Sequence, residues 1–417
     1  MRILHICYSD LDGGAARAAY RLHRAQRKIG LDSNMLVVHK MSDDPHVFTV
    51  SKLIKLRIKI MNFVSVQLLK LQKDSSTARR SLNIFPSGLH SYINTISPDV
   101  INLHWIGGEM LSIKEISRIQ QPIVWTLHDM WAFSGCKHYD DTFAERYKNA
   151  YSKLNRVKGI IGIDIDRIIY KHKYNHLRNK SILFVSPSRW LGGCVSSSSL
   201  FKEHPVTVIS NCIDHELYRP IDKKIAREIM RLPMNKKLLL FGAMSSTSDP
   251  RKGYALLKNA LLKLKQSNEI NDVELIIFGS SGEKSDEDVG IPTHYMGRIY
   301  DDITLCLLYS AVDIFIAPSL QDNLPNTIVE SLACGTPCIA FDLGGMPDLI
   351  STSEYGHLVN PIDVDSLYNA IQEQLSVKRN SNILSTLSAS IRSEYVIASE
   401  YNNVYKMLCD EKSMERF

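Results

Sequence analysis

Short, continuous apolar runs recur along the chain and are separated by longer stretches with helical periodicity. The first run, residues 3–7, is followed by a glycine turn at Gly13 and Gly14 and by a helical pattern that begins at Ala15. Continuous rather than alternating apolar runs are typical of parallel strands covered on both faces. The order strand, glycine turn, helix therefore predicts the opening of a doubly wound α/β sheet. Further strands of this series are predicted at 35–38, 100–103, 123–127, 182–185 and 206–209.

A second series of strands and helices predicts a second domain. The 417 residues exceed the size at which a single core usually stops growing. New apolar runs begin at 237, and a polar stretch from Asn211 to Pro220 separates them from the first series. We predict a first Rossmann-like domain over 1–212, a linker over 213–236, a second Rossmann-like domain over 237–390, and a C-terminal helix over 391–417 that crosses back to the first domain. The strands of the second series are predicted at 237–241, 273–278, 313–316 and 337–341.

Composition favours an ordinary globular protein in a reducing compartment. Hydrophobic residues make up 44% and charged residues 23% of the chain. The eight cysteines include no Cys-x-x-Cys pair, and several lie in apolar runs, as buried thiols do. The chain begins without a signal-peptide pattern and has no run of about 18 apolar residues. We therefore expect a cytoplasmic protein.

Two local basic clusters modify this expectation. Residues 51–80 carry eight basic residues and one acid, and residues 151–180 carry eight basic residues and two acids. Such clusters favour binding to a polyanionic partner, either lipid head groups or a pyrophosphate-bearing acceptor. Residues 51–73 form a basic amphipathic pattern whose length favours a helix over a strand. It fits either a helix on a membrane surface or a surface helix packed on its own domain.

The stretch 317–337 carries the strongest chemical pattern. It follows a predicted strand and contains an Asn cap, Pro325 at the first helical position, a short helix and a terminating Gly335. Backbone N–H groups at the helix start could bind a pyrophosphate, Glu330 could accept both hydroxyls of a ribose, and Asp322 could reach a sugar. Either acid alone would be an ordinary solvated carboxylate, so the combination carries the prediction of a nucleoside-diphosphate-sugar site. The candidate pyrophosphate residues are Asn323, Leu324, Asn326 and Thr327.

Together with Cys334-Gly335-Thr336-Pro337, this stretch resembles glycosyltransferase family 4. The resemblance is strongest over 238–361. It implies retaining enzymes of GT-B architecture, with two Rossmann-like doubly wound parallel-sheet domains that face each other across a cleft. The family's Glu-x7-Glu motif falls on Asp322 and Glu330, with the first acid one methylene shorter. In the family, the first acid approaches the donor sugar and the second binds the ribose.

The resemblance assigns roles to further residues. Lys252, before Gly253, matches the family lysine that neutralises the donor pyrophosphate. The family's Gly-Arg pair is absent because Ala243 follows Gly242, and we expect Arg251 to supply the guanidinium. The position of Arg298 matches the backbone that meets the base, and residues 278–282 match a second wall of the donor site.

Two candidates lie in the first domain. Gly14 falls where family members bring a flexible loop against the donor phosphate. His128, at a predicted strand end, matches a histidine that contacts the donor sugar. The Gly13-Gly14 turn lacks the pattern Gly-x-Gly-x-x-Gly, which argues against a nicotinamide cofactor.

The function implied is retaining, metal-independent transfer of a hexose from a UDP- or GDP-sugar to a lipid-pyrophosphate oligosaccharide in bacterial surface polysaccharide (O-antigen, capsule or exopolysaccharide) assembly. The catalytic set is His128, Asp322, Arg251 and Lys252, with no cofactor, no metal and no nucleic acid partner. Peripheral binding to the inner membrane accompanies this function. The Asp-x-Asp pairs at 10–12, 164–166 and 363–365 are interpreted as turns or caps. The alternatives are a sugar-nucleotide epimerase or hydrolase of GT-B fold, and a non-catalytic sugar-nucleotide-binding protein. The oligomeric state stays open.

Overall fold

Two compact units make up the chain. A computed structural model describes residues 1–74, 78–140, 145–242, 249–267, 272–279, 289–377, 387–389 and 391–414. Unit 1 comprises Met1–Cys212 and Tyr395–Phe417, and unit 2 comprises Ile213–Glu394. Each unit is built on its own parallel sheet, so the predicted class of two doubly wound α/β domains is confirmed.

Unit 1 contains a seven-stranded parallel sheet in the order β3-β2-β1-β5-β6-β8-β9. The remaining strands, β4 and β7, form a short antiparallel pair. The strands are β1 (Arg2–Ser9), β2 (Asp32–His39), β3 (Val47–Thr49), β4 (Gln72–Lys73), β5 (Val100–Leu103), β6 (Ile123–Thr126), β7 (Ile161–Gly162), β8 (Leu183–Ser186) and β9 (Val206–Val208). The helices are α1 (Gly14–Lys28), α2 (Lys52–Leu69), α3 (Leu89–Ile96), α4 (Ile113–Ser117), α5 (Arg146–Asn149), α6 (Ile165–Leu177) and α7 (Arg189–Ser196).

Unit 2 contains a six-stranded parallel sheet in the order β12-β11-β10-β13-β14-β15. Short 3-10 turns at Pro250–Lys252 and Met346–Asp348 follow β10 and β14. The strands are β10 (Lys237–Gly242), β11 (Val273–Phe278), β12 (Thr293–Tyr295), β13 (Ile314–Ala317), β14 (Cys338–Phe341) and β15 (Gly356–Val359). The helices are α8 (Lys223–Met230), α9 (Tyr254–Gln266), α10 (Asp302–Ala311), α11 (Asn326–Ala333) and α12 (Val364–Ser376).

The segment predicted as a linker contains α8, which packs within unit 2. Asp222 caps this helix by accepting the backbone N–H groups of Lys224 and Ile225. The buried guanidinium of Arg227 donates to Asp313 at 2.9 Å and also binds backbone carbonyls. Because a buried charge needs a partner, this pair fixes α8 beside the start of β13.

The C-terminal helix α13 (Glu394–Met414) belongs to unit 1 from Tyr395 onward. Its buried side chains join a core cluster with Ile3 of β1 and Val124 of β6. The last helix of the chain therefore completes the core of the first sheet. The buried residues of α13 in this cluster are Ile397, Ala398, Tyr401, Val404, Tyr405 and Leu408.

The amphipathic segment is a helix, as its length predicted. Ser51 caps α2 by accepting the N–H of Ile54, and Ile58 and Ser65 are buried against unit 1. The opposite face exposes a stripe of apolar side chains, among which Leu53 is 80% and Phe63 66% exposed. No helix in the described part of the chain is long and apolar enough to span a bilayer.

Candidate functional site

The strand order of unit 2 marks the place where a ligand is expected. Sequence neighbours run outward in one direction from β10 to β12 and in the other from β13 to β15, so the order reverses between β10 and β13. In open parallel sheets, ligands bind beyond the carboxyl ends of the strands at such a reversal. The loops after β10 and β13 carry Lys252 and Asp322.

Lys252 and Asp322 form an ion pair. The Nζ atom of Lys252 lies 2.6 Å from Oδ2 of Asp322, and both side chains are partly buried. The other carboxylate oxygen of Asp322 accepts the backbone N–H of Asn323 at 3.0 Å. Two residues 70 positions apart in sequence, both predicted to be catalytic, are thus brought into direct contact.

Close backbone approaches hold this pair in place. Leu320 donates its N–H to the carbonyl of Arg251 at 2.7 Å. Gly253 has a φ of +71°, and a Cβ atom there would come within 1.9 Å of the Pro318 carbonyl oxygen. Gly344 has a φ of +58°, and a Cβ atom there would lie 2.2 Å from the Asp322 carbonyl oxygen. Only glycine fits both positions, because the backbone conformation and the available space exclude a side chain.

The start of α11 differs in detail from the predicted cap. Pro325 is the capping residue and the helix begins at Asn326, so the prediction of an Asn cap with Pro325 at the first helical position is wrong. The N–H of Asn323 donates to Asp322, ahead of the helix. Since the Pro325 side chain cannot accept a hydrogen bond, α11 has no side-chain cap. Asn326 and Thr327 form the first turn of α11, and backbone N–H groups at the start of a helix suit an anion.

Glu330 lies in the middle of α11 and is 3% exposed. Its Oε2 atom accepts the hydroxyl of Tyr309 on α10 at 2.9 Å. Burial, with a further effect of the Glu330 charge, raises the pKa of Tyr309 well above its usual value, so the hydroxyl remains a donor. The carboxylate is therefore held in one orientation by a buried phenol that the sequence did not reveal.

The remaining predicted residues of unit 2 lie along the same edge of the sheet. Arg251 makes a bidentate ion pair with Asp249, at 2.7 and 3.2 Å. Leu324, just before α11, is buried. Arg298 is exposed and follows β12, and the carbonyl of Gly297 accepts the N–H of Gly279 after β11 at 2.7 Å. Ala243 and residues 280–282 of the predicted second wall lie outside the described residues.

In unit 1, Gly14 and His128 follow two strands of the other sheet. Gly14 is exposed at the start of α1, where Gly13 takes a φ of 99°. His128 is partly exposed and lies two residues after β6. Both predicted residues therefore lie beyond the carboxyl ends of parallel strands in their unit.

Three histidines from adjacent strands stack in unit 1. Nε2 of His128 lies 3.0 Å from Nδ1 of His104, which follows β5, and Nε2 of His104 lies 2.9 Å from Nδ1 of His5 in β1. Burial lowers the pKa of His5 and of His128 to about 4, and lowers that of His104 well below its usual value. All three rings are therefore neutral at pH 7. The sequence alone did not single out His5 or His104, because their contact depends on the strand order.

A second polar cluster fixes the loop after His128. Oδ2 of Asp129 lies 2.6 Å from Nδ1 of His138, whose Nε2 lies 2.8 Å from the hydroxyl of Ser81. Although burial acts to raise the pKa of Asp129, His138 and the N–H of Trp131 lower it overall. Ser81 is buried and its oxygen also accepts the N–H of Gly108, so this arrangement lacks the exposed nucleophile of a hydrolytic triad.

The Asp-x-Asp pairs have structural roles. Asp10 accepts the N–H groups of Met41 and Ser42, each at 2.9 Å. Asp164 caps α6 and Asp363 caps α12. No group of three or more metal-ligating side chains occurs among the residues that the structure describes.

Comparison with known proteins identifies the domain that carries the Lys252–Asp322 pair. The family described as "Glycosyl transferases group 1" matches residues 235–376. A phosphatidyl-myo-inositol mannosyltransferase of Mycobacterium leprae is 28% identical over 196 residues, which cover 45% of this chain and 51% of that protein. A D-inositol 3-phosphate glycosyltransferase of Mycobacterium marinum is 26% identical over 210 residues, covering 48% and 42%. The matches thus span about half the length of these curated relatives, or less.

Solved structures match the fold over nearly the whole chain. Sucrose-phosphate synthase from Thermosynechococcus elongatus has a TM-score of 0.67 at 18% identity, covering 98% of this chain and 99% of that one. The Anabaena protein HepE in complex with UDP-glucose has a TM-score of 0.58 at 17% identity, covering 99% and 100%. At these identities the likeness establishes the fold. The chain therefore has the GT-B fold, and its residues 235–376 match the glycosyl transferases group 1 family.

Proposed function

We propose that the chain is a retaining glycosyltransferase that moves a hexose from a UDP- or GDP-sugar to a lipid-linked oligosaccharide in surface polysaccharide assembly. The observation that carries this proposal is the Lys252–Asp322 ion pair beside the start of α11, at the reversal of strand order in the matched domain. A cation, a carboxylate and a helix start are the groups that a diphosphate and its sugar require.

The ion pair suggests how a donor would be received. Before binding, Asp322 neutralises Lys252 at 2.6 Å. A diphosphate carries more negative charge than a carboxylate, so we propose that it takes over the ammonium. Asp322 would then be released toward the hydroxyls of the sugar. Glu330, oriented by Tyr309, would accept the ribose hydroxyls.

The chemical step then needs charge stabilisation on the leaving group. The bond between the anomeric carbon and the diphosphate oxygen breaks, and negative charge builds on the diphosphate. We propose that Lys252, Arg251 and the N–H groups of Asn326 and Thr327 stabilise this charge without a metal ion. The acceptor hydroxyl attacks from the face that the diphosphate leaves, and the diphosphate takes the proton. His128 is proposed to contact the donor sugar.

Sugar transfer from a panel of UDP- and GDP-sugars tests the proposal. We expect Lys252→Ala and Glu330→Ala to lower turnover by about 100-fold or more, because each removes a group that binds the donor or its developing charge. Asp322→Asn should bind free UDP or GDP more tightly than the unchanged chain, since a competing negative charge is gone, while transferring sugar more slowly.

The matched control is the exposed ion pair of Lys263 with Asp365 in the same unit. Lys263→Ala should leave turnover within about two-fold, because an exposed pair contributes little. Transfer by Lys252→Ala at the unchanged rate would contradict the proposal. Release of nucleotide at the same rate with and without acceptor would instead indicate a hydrolase or epimerase. Full transfer in the presence of a chelator is expected.

We further propose that α2 places unit 1 on an anionic membrane surface, where a lipid-linked acceptor is found. The exposed stripe contains Leu53, Leu56, Ile60 and Phe63, spaced three or four residues apart as on one helical face. Lysines at 52, 55 and 59 lie beside this stripe, and α2 contains no acidic residue. Apolar side chains that enter the interface and lysines that meet phosphate head groups are the features of a surface-bound helix.

Co-sedimentation with vesicles tests this part separately. The triple variant Leu53→Ser, Leu56→Ser and Phe63→Ser should lose binding to vesicles that contain phosphatidylglycerol. A control variant, Ile225→Ser with Ile229→Ser, removes comparably exposed side chains from α8 and should bind as the unchanged chain does. Equal binding of both variants would exclude α2 as the membrane element while leaving the donor site untouched.

A further inference from the structure

The three stacked histidines of unit 1 continue into a buried hydrogen-bond chain that ends on the C-terminal helix. Nε2 of His5 lies 2.8 Å from the side-chain oxygen of Gln26 on α1. The side-chain nitrogen of Gln26 donates to the hydroxyl of Tyr405 on α13 at 3.1 Å. His5, Gln26 and Tyr405 are fully buried, so water does not compete for these bonds.

The chemistry of each link fixes the position of the next proton. A neutral imidazole has one N–H donor and one acceptor nitrogen, whereas an amide oxygen only accepts. The contact with the Gln26 oxygen therefore requires the proton of His5 on Nε2. Nδ1 of His5 then accepts from Nε2 of His104, and Nδ1 of His104 accepts from Nε2 of His128.

We infer that Gln26 and Tyr405 are positioning residues that set His128 in the Nε2–H tautomer, with the lone pair of Nδ1 available to accept a hydrogen bond from a ligand hydroxyl. Within the described residues, Nδ1 of His128 makes no hydrogen bond, and His128 is partly exposed while the rest of the chain of bonds is buried. The ligand role of His128 rests on the proposed function, whereas its tautomer rests on these contacts and on the orientation of the Gln26 amide.

The direction of the hydrogen-bond chain depends on the orientation of the Gln26 amide, whose nitrogen faces Tyr405. The hydroxyl oxygen of Tyr405 accepts the side-chain N–H of Gln26 and that of Asn102, the latter at 2.8 Å. This turns the nitrogen of Gln26 toward α13 and its oxygen toward His5. The two ends of an amide have nearly the same shape, so rotating Gln26 by half a turn would reverse every bond as far as His128. The tautomer of a residue at the carboxyl edge of the sheet thus depends on two buried side chains, Gln26 of α1 and Tyr405 of α13.

Nitrogen-15 NMR of the histidine-labelled full chain at pH 7 tests the inference without any substrate. Signals are assigned by replacing His5, His104 and His128 one at a time with glutamine. The expected result for the unchanged chain is a protonated Nε2 and an unprotonated Nδ1 in all three rings. A protonated Nδ1 on His128, or a doubly protonated ring, would overturn the inference.

Two variants test where the tautomer is set. Gln26→Met removes the acceptor for His5, and Tyr405→Phe removes the acceptor that orients Gln26. In either variant that folds, we expect signals of both tautomers for His128. A single unchanged tautomer in both would overturn the role assigned to Gln26 and Tyr405. The matched control is Ser33→Ala, which deletes a buried hydrogen bond of 2.9 Å to His23, a neighbouring histidine outside the chain of bonds; it should leave all three tautomers unchanged.

Kinetics separates this inference from the proposed function. Gln26→Met should lower kcat on the order of 10-fold, as loss of a group that orients a ligand-binding histidine does elsewhere, with little change in the donor KM. Ser33→Ala should leave kcat within about two-fold. If the NMR pattern is as expected but no sugar is transferred by the unchanged chain, the proposed function fails and the tautomer assignment stands. If sugar is transferred and His128 carries its proton on Nδ1, the proposed function stands and the tautomer assignment fails.

Discussion

Gly253 sets the distance between Lys252 and the loop that carries Asp322. Its φ of +71° lies in the left-handed region, and the Pro318 carbonyl occupies the place of a side chain. A methyl group there would strain the backbone and push the loop 318–322 away from the 3-10 turn. The contact between two predicted catalytic residues thus depends on a residue that carries no chemistry.

We expect Gly253→Ala to lower the free energy of unfolding by about 2 kcal/mol and to lower turnover as well, because the collision displaces Lys252. Urea unfolding and sugar transfer measure the two effects. Gly193→Ala is the matched control, because Gly193 lies in α7 and no atom lies within 4 Å of a Cβ added there. This variant should raise the free energy of unfolding by up to about 1 kcal/mol. Unchanged stability and turnover in Gly253→Ala would show that the loop adjusts freely.

The sequence identified Lys252, Asp322 and Glu330 as candidates but not the contacts between side chains. The ion pair of Lys252 with Asp322 joins the loops that follow two neighbouring strands. The hydrogen bond from Tyr309 to Glu330 joins two helices. Spacing along the chain does not encode such contacts, because they depend on how elements pack. The family resemblance supplied roles for these residues, whereas the structure supplies their partners.

Strands β1, β5 and β6 bring three histidines together because they are neighbours in the sheet. His5 is held neutral, with a pKa of about 4 in the folded state against about 6.5 in an unfolded chain. Between these values the unfolded chain binds more protons than the folded one. The contribution of neutral His5 to the free energy of unfolding is therefore fully present above pH 6.5 and is lost as the pH falls toward 4.

We expect the free energy of unfolding of unit 1 to fall between pH 6.5 and pH 5, by roughly 2 kcal/mol for His5 alone. This window lies above the range in which carboxylates are protonated. Urea titrations at several pH values give the slope, which His5→Gln should make shallower. His176→Gln, at a histidine outside the cluster, should leave the slope as it is. If the free energy of unfolding has the same pH slope in His5→Gln as in the unchanged chain, proton uptake occurs at a group other than His5.

The central strands and the edge strand β9 were predicted from sequence, whereas the edge strands β3, β12 and β15 were not. The runs at 237–241 and 273–278 match β10 and β11 because both strands are buried on both faces and are apolar except at Lys237 and Glu274. The edge strands β12 and β15 are short and contain partly exposed residues, so they lack a continuous apolar run. The amphipathic helix α2 was predicted because its length exceeds that of ordinary strands.

The two units have separate cores, and that of unit 1 is completed from the far end of the sequence. The buried face of α13 packs with residues of β1, β5, β6 and β8. We predicted a C-terminal helix that crosses back to the first domain, but not the strands that it contacts, which lie far from it in sequence. This contact is one that local patterns do not contain.

Truncation after Glu394 should therefore unfold unit 1 selectively. Each large apolar side chain that α13 buries contributes about 1.5–3 kcal/mol, so their combined loss is comparable to the 5–15 kcal/mol that stabilise a typical domain. Unit 2 keeps both of its core clusters, and we expect its calorimetric transition to persist while that of unit 1 disappears. A truncation after Asp410 retains every buried residue described in α13 and should preserve both transitions. If the shorter chain, ending at Glu394, still showed two transitions, the core of unit 1 would be stable without α13.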